Sequence, residues 1–165
     1  MKTADGSELL ANPADVESID AIITASYRLI SGNAGEKRDW LRVRSLFAPG
    51  ARLIPLNKKV GVRLAAGKTP EPLDVDAYVA RVTDYFDQTG FFETEIARRT
   101  EQYDQIAHAF SVYESRHSAD DPEPFIRGIN SFQLFNDGKR WWILTIYWQQ
   151  EYPDKPIPEK YLRGE

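Results

Sequence analysis

Between residues 106 and 117 the sequence alternates His108, Phe110, Val112, Glu114 and Arg116. Alternate residues of a strand share one face. That face would carry an imidazole, a carboxylate and a guanidinium among apolar neighbours, the make-up of a small-molecule site. Glu114, if buried without a full partner, would have a raised pKa and could act as an acid or base. His108 is the second candidate, because histidine is the side chain suited to proton transfer near neutral pH. Each also has a purely structural reading. Glu114 and Arg116 can pair with each other or with the charges around Glu93 and Glu95, and His108 can be a half-buried structural histidine.

Two further polar residues lie in apolar settings. Tyr27 sits on a helical stripe, where it is either core or a hydrogen-bond donor to a ligand. Asn130, in Gly128-Ile129-Asn130-Ser131-Phe132, must find partners if buried; it either binds a ligand or ties strands together. Other chemistries lack their residues. The chain has no cysteine, which removes disulfides, thiolate metal sites and cysteine nucleophiles. Its two histidines stand nine residues apart on opposite strand faces, a poor metal pair. No phosphate-cradling loop, dinucleotide fingerprint or nucleophile elbow is present. No metal and no cofactor is expected.

These residues must be positioned by helices first and strands second. Residues 1–11 read as a flexible leader. Asn12-Pro13 starts a helix with a stripe of Val16, Ile19, Ile22, Ile23, Tyr27 and Ile30, stopped by Gly32. Asp39 caps a second helix carrying Trp40, Val43, Leu46 and Phe47, ended by Pro49-Gly50. Residues 51–56 form a short strand, and 60–66 pair with it or make a flap. Asp74 caps a third helix with Tyr78, Val82, Tyr85 and Phe86 on its buried side, with Trp40 and Phe86 as core or at a pocket mouth. Four strands follow at 91–103, 106–117, 125–135 and 139–151, joined by links short enough for an antiparallel meander. The fold class is α+β, three N-terminal helices packed on a curved four- to six-stranded antiparallel sheet. The domain spans 12–152, and 153–165 read as an irregular tail.

The last hairpin turns at Asn136-Asp137-Gly138. A three-residue loop ending at Gly138 puts Asn130, Phe132, Leu144, Ile146 and Trp148 on one face, facing the helices. Arg127, Ser131, Gln133, Trp141, Ile143, Thr145, Tyr147 and Gln149 share the other. Aromatic rings mixed with hydrogen-bonding groups suit a protein interface, so a homodimer through the outer sheet face is expected.

Leu46-Phe47-Ala48-Pro49-Gly50-Ala51-Arg52-Leu53-Ile54 and Asp137-Gly138-Lys139-Arg140-Trp141-Trp142-Ile143 resemble a helix-to-strand junction and a final hairpin of the nuclear transport factor 2-like superfamily, which includes steroid isomerases, dehydratases and polyketide cyclases. The resemblance implies a cone-shaped sheet around an internal cavity. Compared with its steroid isomerases, Tyr27 is similar in position to a tyrosine that holds the dienolate oxygen. Asn130 falls where an aspartate shares that task. Phe110, Val112, Gly128, Phe132, Leu144 and Trp148 fall where the cavity is lined. Pro55 takes the place of the catalytic base, and proline moves no proton.

The formal charge of −4, from 21 basic and 25 acidic residues, argues against nucleic acid. No run approaches the ~18 apolar residues of a membrane span. A cytoplasmic protein is the expectation. Its function would be that of a pocket for a small hydrophobic molecule, with proton-transfer chemistry of isomerase, dehydratase or cyclase type. The competing reading is a non-catalytic ligand-binding or dimerisation module. A third is an accessory subunit like the small subunit of aromatic-ring dioxygenases, which resembles this fold.

Overall fold

The computed structural model describes residues 10–163, so nearly all of the expected leader at 1–11 lies outside the described residues. Helix α1 is Ile19–Ile30, α2 Trp40–Ser45, α3 Val75–Gln88 and α4 Glu159–Leu162; the strands are β1 Phe47–Pro55, β2 Asn57–Lys59, β3 Val62–Arg63, β4 Phe92–Tyr103, β5 Ile106–Arg116, β6 Ile126–Asn136 and β7 Trp141–Gln150. Five strands form one sheet in the order β1-β7-β6-β5-β4, and β2 and β3 make a separate hairpin. The class is α+β as expected. The sheet is mixed, because β1 runs parallel to β7.

The first helix starts later than the sequence suggested. Asn12 caps only a single 3-10 turn, Pro13–Asp15. The chain then breaks, because the carbonyl of Val16 accepts from the Trp141 N–H of β7 at 2.8 Å, and Ser18 caps α1 through the Ala21 N–H. The break turns Asp15 inward. There it is buried between Arg28 (2.8 Å) and Arg42 (2.6 Å), a clamp that joins the turn, α1 and α2. The far end of α1 is clipped to β4. Gly32 and Phe91 exchange both backbone bonds, and Ser31 Oγ accepts from the Glu93 N–H at 3.0 Å. This clip fixes where β4 begins and which way Glu93 points.

The second helix is also shorter than expected. It ends at Ser45, and Phe47 already belongs to β1. Pro49 and Gly50 lie inside that strand, where the register shifts between Phe47 and Arg52 and Gly50 takes a φ of 82°. The tail is not irregular throughout: Tyr152 bridges Lys155, and α4 lies against the outer side of the sheet, with Tyr161 5.2 Å from Phe110. The core fills the space between helices and sheet. Ile22, Ile23, Leu46, Phe132, Leu134 and Ile143 are wholly buried in it, each worth about 1.5–3 kcal/mol of transfer free energy.

Two bulges decide which side chains look inward. In β7 the register shifts so that Leu134 faces Ile143 while Gln133 faces Thr145. Leu144 is the extra residue and points to solvent. A bulge adds one residue to one strand only, so parity changes across it. Ile146 and Trp148 therefore share Asn130's face as expected, whereas Trp141 and Ile143 turn inward and are buried, not outward. The loop is also longer, with Asn136 opposite Trp141. Asp137 organises it by accepting from the N–H groups of Lys139 and Arg140 and from Trp142 Nε1. The second bulge, in β4, lies between Glu95 and Ala97.

Candidate functional site

Strand β5 presents the face opposite to the expected one. Ser111 pairs with Asn130 and Tyr113 with Gly128. Directly paired residues share a face, so Ala107, Ala109, Ser111, Tyr113 and Ser115 look toward the helices. His108, Phe110, Val112, Glu114 and Arg116 look away from them. The reason is steric. Helix α1 crosses the sheet over β4, and small residues on β5 let it approach. The bulkier Phe110 is covered from the other side by Tyr161.

The consequences for the candidate residues are plain. Glu114 does not line the cavity. It is buried on the outer side and receives hydrogen bonds from Arg116 (2.9 Å) and Arg127. Burial by itself would raise its pKa, but the bonds from Arg127 and Arg116 hold it below the usual carboxylate range. The pairing of Glu114 with Arg116 matches the structural reading of the sequence. His108 stands on the outer side too, opposite Glu101 and Gln133. Phe110, Val112, Arg116 and Leu144 are likewise absent from the cavity wall.

Tyr27, Asn130, Phe132 and Trp148 are brought together. With Leu53, Tyr78, Phe86, Phe91, Glu93, Tyr113 and Ile146 they line a cavity of about 210 Å³ between α1, α3 and the sheet. Phe86 stacks on Trp40 at 6.1 Å and itself reaches the wall. Tyr78 packs edge-on against Trp148 at 6.2 Å. An adjoining vestibule of about 140 Å³ reaches the β2–β3 hairpin at Asn57 and Val60 and shares Tyr85, Phe91, Glu93, Tyr113 and Trp148 with the cavity. Glu93 thus stands where the two spaces meet.

Glu93 is the carboxylate that the sequence reading passed over. Removal from water pushes its pKa up to about 7, against hydrogen bonds from Ser115 and Asn130 that favour the charged form. The Ser115 hydroxyl donates to Oε2 at 2.9 Å. Among the described residues the groups that act on its pKa include no guanidinium or ammonium, in contrast to Glu114. The available sequence signal was β4's own alternation, Phe91-Glu93-Glu95, which puts a glutamate next to a cavity aromatic.

Tyr27 belongs to a directed chain of hydrogen bonds. Its hydroxyl lies 2.7 Å from Ser111 Oγ, and Ser111 Oγ donates to Glu95. A serine has one proton to give. With that proton on Glu95, Tyr27 must be the donor to Ser111. In turn Asn130 Nδ2 donates to the Tyr27 oxygen at 3.0 Å and also acts on Glu93. Burial, with the nearby Glu93 charge, raises the Tyr27 pKa strongly, so the phenol stays protonated. Glu95 is raised as well, by burial and against the bond from Ser111 and the charge of Arg98. Among the described residues no three His, Cys, Asp or Glu are placed to hold a metal ion.

No family model and no curated protein matches the sequence. Solved structures share its fold. A "putative aromatic ring hydroxylase" from Novosphingobium aromaticivorans superposes with a TM-score of 0.56 at 13% identity, over 83% of this chain and 89% of that one. A "putative ketosteroid isomerase" from Parabacteroides distasonis gives 0.54 at 13% identity, over 87% and 96%. The Kfla4162 protein from Kribbella flavida gives 0.51 at 12% identity, over 69% and 78%. The chain has the nuclear transport factor 2-like fold and resembles its solved members distantly. At such identities the likeness is one of fold, and fold alone does not assign chemistry. No helix among the described residues is long and apolar enough to cross a membrane.

Proposed function

We propose that the chain binds a small hydrophobic molecule in this cavity and moves a proton on it, with Glu93 as acid and base. The observation that carries the reading is a carboxyl group with a pKa near 7 at the polar end of an aromatic-walled cavity. Such a group is half ionised at neutral pH, the best compromise between being free to take a proton and strong enough to hold it. A ketone with an acidic α-hydrogen is the matching substrate. Glu93 takes the α-proton, and the C–H electron pair becomes the C=C bond of an enolate. The protonated Glu93 then returns the proton, at the same carbon or at the far end of a conjugated system, which completes an isomerisation. The cavity, at about 210 Å³, lies below the roughly 300–1,000 Å³ usual for drug-sized ligands. It suits one or two rings rather than four. The likeness to a "putative ketosteroid isomerase" agrees with the reaction type.

The test is deuterium incorporation at the α-carbon of 2-tetralone in D₂O, followed by NMR. Exchange well above the buffer rate, lost in Glu93→Gln, is the expected result. Exchange at the buffer rate with saturable binding would leave the non-catalytic module as the reading. That module has its own support in Ile96 and Tyr147, both over two-fifths exposed on the sheet. The homodimer through the outer face is part of the proposal. Sedimentation should give a dimer, and Tyr147→Arg should shift it toward monomer.

A further inference from the structure

The hydrogen-bond donors around the cavity can be assigned one by one. The Tyr27 proton goes to Ser111, because Ser111 gives its own to Glu95. One Asn130 N–H goes to the Tyr27 oxygen, and the amide's other pull is on Glu93. Ser115 donates to Glu93. The two residues that the superfamily resemblance singles out as donors to a substrate oxygen are therefore already engaged with the protein.

Three tyrosine hydroxyls on the cavity wall are left, and one of them, on Tyr85, belongs to a residue two-fifths exposed to solvent. Tyr78, from α3, and Tyr113, from β5, both line the cavity, and among the described residues no side-chain hydrogen bond acts on either phenol. Tyr113 is buried. Its ring lies across Gly128, where an added Cβ would come within 2.4 Å of the hydroxyl. Tyr78 is held edge-on by Trp148. Both phenols have pKa values raised by burial first and then by the Glu93 charge, so they remain neutral donors and lie within electrostatic reach of the proposed base. Buried polar hydroxyls are rarely left without a partner. A donor aimed at a site of developing negative charge is worth most where water is excluded.

We infer that Tyr78 and Tyr113 are the pair that binds the oxygen of the ligand, and that the cavity selects a compact cyclic ketone over the corresponding hydrocarbon. This inference rests on the proton-transfer reading of the same cavity. During enolisation the two O–H groups face the carbonyl oxygen as it gains charge, while Glu93 faces the α-carbon. Tyr27 and Asn130 are positioning residues. They orient Glu93 and steady the wall without touching the ligand oxygen.

The experiment compares 1-indanone with indane, two ligands of one shape that differ in the carbonyl. Binding is measured by calorimetry to wild type, Tyr78→Phe, Tyr113→Phe and the double variant. The carbonyl stretch of ¹³C-labelled bound 1-indanone is read by infrared difference spectroscopy. In wild type the band should lie below its position in hexane, as expected for a hydrogen-bonded carbonyl. Each single variant should raise it and weaken 1-indanone by about three- to tenfold, the range for one neutral hydrogen bond, with indane affinity unchanged within about twofold. Tyr27→Phe should leave the band where it is. If indane and 1-indanone both bind but the band is unshifted, or shifts only on loss of Tyr27, the inference is overturned while the cavity reading stands. If neither ligand binds, the cavity reading falls and takes the inference with it.

Discussion

Glu93 and Glu114 are the same chemical group on adjacent strands, one on each side of the sheet. Glu93 meets a serine hydroxyl, an amide and a ring of aromatic side chains. Glu114 meets two guanidinium groups. Burial acts on both in the same direction, and the partners decide the outcome. Neutral donors only soften the desolvation cost, so Glu93 rises to about 7. Two cations outweigh it, so Glu114 falls. A carboxylate held by two arginines is a poor base, whatever its depth. Reactivity here follows from what a strand face is packed against rather than from the residue type.

The comparison can be broken most directly at Glu93. Glu93→Gln should lower α-proton exchange by about 10²–10⁴-fold, the usual share of a general base, whereas Glu114→Gln should leave the exchange rate within about twofold. The stability of the two variants should also diverge with pH. The folded pKa of Glu93 lies above its unfolded value, so its favourable contribution is complete below about pH 4.5 and is lost as pH rises to 7. Above pH 7, replacing the ionised group by a neutral amide should therefore stabilise the fold by up to about 3 kcal/mol, with little effect at pH 5. Urea denaturation at pH 5 and pH 8 measures this. Glu114 has the opposite sign. Its stabilisation is present above the unfolded pKa and fades as pH falls through its lowered folded value. Glu114→Gln should cost about 2 kcal/mol at pH 7, because two partly buried arginines lose their counter-charge, and less in acid. His108→Ala should change stability by no more than about 0.5 kcal/mol and leave exchange untouched, as expected of a side chain remote from the cavity.

The sequence carried the architecture well. Helical stripes, caps at Asp39 and Asp74 and four alternating segments led to an α+β domain. Asn130, Phe132 and Trp148 were assigned to the correct face. The failures share a cause, which is parity. Strand alternation says which residues share a face, not which face is inside. On β5 the bulky members, Phe110 and Val112, looked like the buried set, yet the inner face needed alanine and serine to admit α1. On β7 the bulge at Leu144 reversed the alternation for Trp141 and Ile143. Neither a close helix approach nor a bulge has a period of its own to read. The parallel pairing of β1 with β7 was also hidden, because it joins segments nearly a hundred residues apart. Glu93 was missed for a related reason: its charge read only as a possible cross-strand partner for Glu114 and Arg116, and only the third dimension puts it on the other side of the sheet from them.

Gly128 has a consequence beyond the fit of one ring. Its missing side chain leaves the room in which the Tyr113 phenol lies, with the Gln149 carbonyl 2.6 Å from where a Cβ would stand. Tyr113 can swing aside, but the Gln149 carbonyl belongs to the β6–β7 ladder and cannot give way without opening it. Position 128 therefore couples the cavity wall to the pairing of its strands. A single carbon added there would displace the phenol that is proposed to hold the ligand oxygen and strain the ladder beneath it, so ligand affinity and fold stability should fall together.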